Sequence, residues 1–238
     1  VSACGGGGAS GATPDPVGAS PDTGQLIVGI TDAEGDFLIY DISIEALTLT
    51  HRNGDVVEAL PIATRIDFAE LTEVTEFLSL ATVPAGIYES VTVRLDFTDA
   101  EIVVEDSAGT GQMAQAFDTN GAPLGVVDVD LQLSTSDVVR VQRGIPAAFS
   151  LYFDLSASNT VDFTVEPFLL ATPELETDRE HRVRGLVRSV DEANNQIDIL
   201  IRPFRHRTGD FGELTLHVND ETIYEVDGEG YSGSEGLT

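Results

Sequence analysis

The feature that most constrains this chain is a two-residue alternation of apolar and polar side chains that recurs along its body. Val127, Val129, Leu131 and Leu133 alternate with Asp128, Asp130 and Gln132. Phe149, Leu151, Phe153 and Leu155 alternate with Ser150, Tyr152 and Asp154, and Val91, Val93, Leu95 and Phe97 repeat the scheme. Successive strand residues point to opposite faces, so each segment has one buried face and one wet one. The same spacing would deny a helix its apolar stripe.

Finer structure follows from breaks in the phase. Leu38, Tyr40, Ile42 and Ile44 keep one phase, and Leu47 and Leu49 take the other, which predicts a β-bulge or bend near Glu45-Ala46. Asn53-Gly54 predicts a type I′ hairpin joining residues 44–50 to 56–60. Asn120-Gly121 and Asn194-Asn195 mark further turns. Residues 70–80 lack alternation and are expected to hold a short helix. The fold class is therefore all-β: an antiparallel sandwich over residues 24–172, a polar linker over 173–180, and a small, incomplete β-barrel-like module over 181–238. In that module residues 183–190, Ile197 to Ile201, Leu214 to Val218, and residues 223–226 read as four strands. The Gly- and Ser-rich residues from 228 onward carry no end-of-domain signal, so the chain is expected to continue.

Residues 1–23 belong to neither module. Val1-Ser2-Ala3-Cys4 precedes four glycines and a stretch of Gly, Ala, Ser, Pro and Asp. An aliphatic residue and two small ones before a cysteine resemble the end of a bacterial lipoprotein signal peptide, which implies lipidation of Cys4 and a membrane held through that anchor. The stretch reads as a flexible tether spanning roughly 20–25 Å. Gly5, where the family rule places a retention aspartate, implies the outer membrane. Cys4 is the only cysteine, so these residues hold no internal disulfide.

Charge limits the partners. The net charge is −29, from 41 acids and 12 basic residues, all of the latter arginine. Such a surface repels nucleic acid. The arginines are uneven: five face 26 acids in residues 1–172, and seven face 15 in residues 173–238. Arg182, Arg184 and Arg188 are placed on one strand face, with Arg202, Arg205 and Arg207 near them on a neighbouring hairpin. They either pair within their own module or dock it onto the acidic first domain. Docking of that kind is expected to be weak, salt-sensitive and able to hinge.

Two family resemblances emerge. Leu26-Ile27-Val28-Gly29-Ile30-Thr31-Asp32-Ala33-Glu34-Gly35-Asp36, Val83-Pro84-Ala85-Gly86-Ile87-Tyr88, and Phe149 to Leu155 resemble a bacterial lipoprotein family, Domain of Unknown Function 4382. The resemblance covers about residues 24–170, implies a transthyretin-like or immunoglobulin-like sandwich, and brings no activity or catalytic residues with it. Val183, Gly185, Val187 and Ser189-Val190-Asp191, with Ile223-Tyr224-Glu225-Val226-Asp227-Gly228, are similar to the first part of Domain of Unknown Function 5666, a small β module.

Asp32, Glu34 and Asp36 alternate in a Gly-containing turn and could converge on calcium, although the EF-hand position for a bidentate glutamate holds Ser43. The other reading of this turn is aspartate capping backbone amides. The histidines lack zinc spacing, and no nucleophile elbow, P-loop or Rossmann motif occurs. The functional expectation is a lipid-anchored, extracytoplasmic binding or scaffold protein for a protein or glycan ligand. Alternatives are a carboxylate-dependent hydrolase acting on glycans, and a spacer for downstream repeats.

Overall fold

The computed structural model describes residues 22–32, 35, 37–106, 108–118, 120–133, 138–154, 160–161, 164–165, 169–173, 175 and 179–233. The strands are β1 Thr23–Asp32, β2 Phe37–His51, β3 Val56–Glu58, β4 Thr64–Asp67, β5 Val74–Pro84, β6 Gly86–Glu105, β7 Gly111–Ala116, β8 Val126–Gln132, β9 Val139–Val141 and β10 Ala147–Phe153. They continue as β11 Thr160–Val161, β12 Thr164–Val165, β13 Leu169–Thr172, β14 Glu180–Arg182, β15 Gly185–Asp191, β16 Gln196–Ile201, β17 Glu213–His217, β18 Ile223–Val226 and β19 Glu229–Ser232. Helical residues are confined, among the described residues, to two 3-10 turns, Phe68–Leu71 and Pro203–Arg205.

The chain forms the all-β sandwich that the alternation predicts. One sheet runs β13-β10-β1-β5-β14, and the other runs β11-β12-β7-β6-β2-β3, with β4 on β2 and β8 and β9 on β6. Between them lie Leu26, Val28 and Ile30 of β1, Tyr40, Ile42, Ile44, Leu47 and Leu49 of β2, Val91, Val93, Leu95 and Phe97 of β6, and Phe149, Leu151 and Phe153 of β10. Most pairs are antiparallel. Three are parallel: β1 with β10, β14 with β5, and β12 with β7. Alternation reports which face is buried, not the direction of the neighbouring strand.

The phase break in β2 is a bulge at Glu45. Ile44 lies opposite Leu95 and Ala46 opposite Arg94, so Glu45 is the extra residue and Ile44, Leu47 and Leu49 can all be buried. A second irregularity between Phe37 and Ile39 turns Phe37 inward and leaves Leu38 half exposed, against the expected phase. The loop at Asn53-Gly54 is not type I′. Gly54 N–H donates to His51 O, His51 N–H donates to Asp55 O, and only Gly54 of the pair has a positive φ, so a type I turn is followed by a left-handed glycine.

Residues 74–84 are strand β5, not the expected helix; only Phe68–Leu71 turns, capped by the Asp67 carboxylate accepting from Ala69 N–H. Alternation is missing because Thr75 to Leu80 are buried on both faces. What covers the second face comes from beyond residue 172. Residues 183–190 are not one strand: β14 ends at Arg182 as an edge strand of the first sheet, and β15 begins at Gly185 in a separate sheet, β15-β16-β17. That sheet is open, and β18 and β19 form a separate hairpin, so the described strands do not close into a barrel.

Candidate functional site

The outer edge of β5 is closed by the second module. Glu180, His181 and Arg182 pair with Val74, Thr75 and Glu76, and further along Leu80 N–H donates to Phe211 O (2.7 Å). Ile201 and Phe211 are buried in the same apolar core as the sandwich. Glu76 is the ionic centre of this junction. It is 0% exposed, accepts from Arg182 Nε at Oε2, and has Arg184 Nε 3.2 Å from Oε1. Beside it Arg179 Nη1 donates to Thr31 Oγ1 (3.0 Å), to Asp32 O (2.7 Å) and to Thr72 O, tying the end of β1 to the loop after the 3-10 turn. Arg188 does not join them; its guanidinium pairs with Glu213 of its own module.

Downstream of the clamp lies a cleft of about 360 Å³ lined by Arg184, Gly185, Leu186, Arg202, His206 and Arg207. Arg202 N–H donates to Arg184 O (2.7 Å), which holds the two arginines together where β15 meets β16. Gly185 allows that approach, because a Cβ there would clash with Leu200 O and Ile199. The turn bearing His206 and Arg207 is set by Phe204 in the left-handed region (φ 48°), a conformation that a bulky side chain adopts only under constraint. Its ring lies 5.6 Å from the Arg184 guanidinium carbon, and His206 packs on Phe211 at 5.2 Å. Among the described residues Arg202 and Arg207 have no carboxylate partner, and buried Arg202 Nε has no hydrogen-bond acceptor. The sequence marks these residues only by the run Arg202-Pro203-Phe204-Arg205-His206-Arg207, and Glu76 carries no sequence signal at all.

The remaining candidates lie elsewhere. Asp32 is buried near Tyr40, whose hydroxyl is pushed above its ordinary range by desolvation first and the Asp32 charge second. Glu34 and Asp36 of the expected calcium turn, and Cys4 of the expected lipidation site, lie outside the described residues. Among the described residues no three His, Cys, Asp or Glu side chains group to hold a metal. A second cavity, about 380 Å³, is lined by Glu58, Ser79, Leu80, Asp210, Phe211 and neighbouring residues, which puts two carboxylates at its wall.

Fold and site together define the class: an all-β sandwich with a smaller β module joined to its sheet edge, and an arginine-lined cleft beside the joint. Compared with known proteins, the chain matches no family model, no curated protein and no solved structure.

Proposed function

We propose that this chain is a lipid-anchored, extracytoplasmic binding or scaffold protein of the bacterial outer membrane, with a divergent Domain of Unknown Function 4382-like sandwich supporting a Domain of Unknown Function 5666-like module. The observation that carries the reading is the junction. A strand shared with the sandwich sheet, a buried carboxylate held by two half-buried arginines and two buried apolar side chains fix the second module to its base, while all seven residues of β15 stay exposed. Such a rigid base and open sheet suit presentation of a surface to a protein or glycan. The N-terminal Cys4 context supports the anchor. The test expresses the protein with its leader in a bacterium with two membranes. Wild type is expected in the outer-membrane fraction, and Cys4→Ser in the soluble fraction, because firm retention needs acyl chains at about 0.8 kcal/mol per buried methylene. A serine variant that sediments like wild type overturns the anchored reading.

The cavity with Glu58 and Asp210 favours the second reading, glycan hydrolysis by paired carboxylates. Glycan cleavage that disappears in both Glu58→Gln and Asp210→Asn would replace the binding reading with this one.

A further inference from the structure

We propose that the cleft of Arg184, Arg202, His206 and Arg207 binds an oxyanion group, a sulfate, phosphate or carboxylate, carried on a small or otherwise neutral ligand. The proposal rests on the binding reading and names the chemistry that its ligand presents at this place.

The local charge is opposite to that of the molecule. In a chain of net charge −29, this cleft is lined by three arginines, a histidine and no acid. Several arginines elsewhere are matched by carboxylates, as Arg52 is by Glu89 (2.5 Å), Arg65 by Asp41 (2.8 Å) and Arg94 by Asp128 (3.3 Å), whereas Arg140, also without a carboxylate partner among the described residues, stands alone on an exposed strand position. Arg184 shares Glu76 with Arg182, whereas Arg202 and Arg207 have no such partner among the described residues. A buried donor without an acceptor is costly, and Arg202, which lines the cleft, carries one at Nε. Guanidinium forks match oxyanions in geometry as well as charge. The cleft is also built rather than incidental. Arg202 is tied to Arg184 through the backbone, Phe204 holds a strained turn, and its ring supports the Arg184 guanidinium.

The surroundings narrow the ligand. Leu186 and Gly185 give one wall an apolar surface, which suits the uncharged body of a small molecule or sugar. The strong negative field of the rest of the chain opposes polyanions. One or two charges on a neutral frame satisfy both conditions.

The full 238-residue chain is titrated separately with sulfate, phosphate and acetate, at ionic strength held constant with chloride. Binding is followed by the arginine Nε–Hε NMR signals and by thermal shift. Saturable movement of the Arg202 and Arg207 signals is expected with at least one anion. In exposed-site variant Arg207→Gln, and in Arg202→Gln/Arg207→Gln, affinity falls roughly tenfold or more. Arg143→Gln, on a distant surface, should titrate as wild type. Saturation by sulfate or phosphate assigns a tetrahedral oxyanion, and saturation by acetate assigns a carboxylate. The proposal is overturned if no anion acts beyond chloride, or if Arg207→Gln titrates like wild type. Neither result bears on membrane retention through Cys4, so the two readings fail separately.

Discussion

Glu76 has no access to solvent and sits between Arg182 and Arg184. Taking a carboxylate out of water costs several kcal/mol, offset here only by the two guanidiniums. Removing one member of a fully buried pair costs about 3–5 kcal/mol. The guanidinium side chains are 33% and 30% exposed, so water relieves part of the loss. Glu76→Gln is therefore expected to destabilise the protein by about 2–3 kcal/mol, read from the urea midpoint. An unchanged midpoint would remove Glu76 from the junction. Aspartates in the loops give a pH dependence. The Asp118 carboxyl is held below its usual range by N–H groups of Ala122 and Asn120, and Asp106 by those of Thr110 and Ala108. A depressed folded pKa contributes stability above the unfolded value, about 3.9, and loses it as pH falls through the folded one. Asp67, raised by burial first, contributes with the opposite sign. Asp118→Asn should therefore flatten the decline of Tm below about pH 4. If the slope is unchanged, the turn contacts do not contribute to acid stability. The turn around Asp118 was marked by Asn120-Gly121, but the Glu76 site was not legible from residue type: 41 acids offered no reason to choose it, because its burial depends on strands far away in sequence.

At the scale of elements, the sequence was informative wherever a strand has one wet face. The Glu45 bulge was visible because β2 must bury Ile44, Leu47 and Leu49 together. The break at Ala85 between β5 and β6 is held by Tyr88 Oη donating to Pro84 O (2.7 Å). β5 was hidden because a second module covers its other face, and period two disappears when both faces are apolar. β19 was missed although Asp227-Gly228 is a two-residue hairpin signal, with φ 53° and 83°. Two glycines separate conformational strain from packing. A Cβ on Gly228 would meet nothing within 4 Å, so Gly228→Ala pays only for its left-handed backbone, about 1 kcal/mol. Gly212 has φ +95°, and a Cβ there would lie 2.7 Å from Leu80 Cβ. Gly212→Ala is expected to cost about 2–3 kcal/mol, at least twice the effect at Gly228, in matched denaturant melts. Equal costs would mean that Gly212 does not pack tightly on β5.

At the scale of the whole molecule, the question is what holds the second module on the first. Charge alone predicts a weak, salt-sensitive contact, since exposed ion pairs contribute about 0–1 kcal/mol. The structure adds terms that the arginine distribution could not reveal. Ile201 and Phe211 are each 1% exposed, and burying such a side chain contributes about 1.5–3 kcal/mol. Leu80 N–H to Phe211 O (2.7 Å) and the pairing of β14 with β5 link the modules through backbone. The apolar and backbone contributions exceed the exposed ionic ones, so docking should survive salt that screens charges within about 3 Å at 1 M. Overall stability should itself rise with salt, because the −29 charge repels itself. The informative comparison is therefore between amides within one sample. Hydrogen exchange of Leu80, Ile201 and Val93 should give similar opening free energies at both 0.1 M and 1 M salt, as expected for one cooperative unit. If Leu80, whose amide bonds across the joint, opens more easily at 1 M while Val93 does not, charge holds the joint and the modules separate as the sequence alone would have them do.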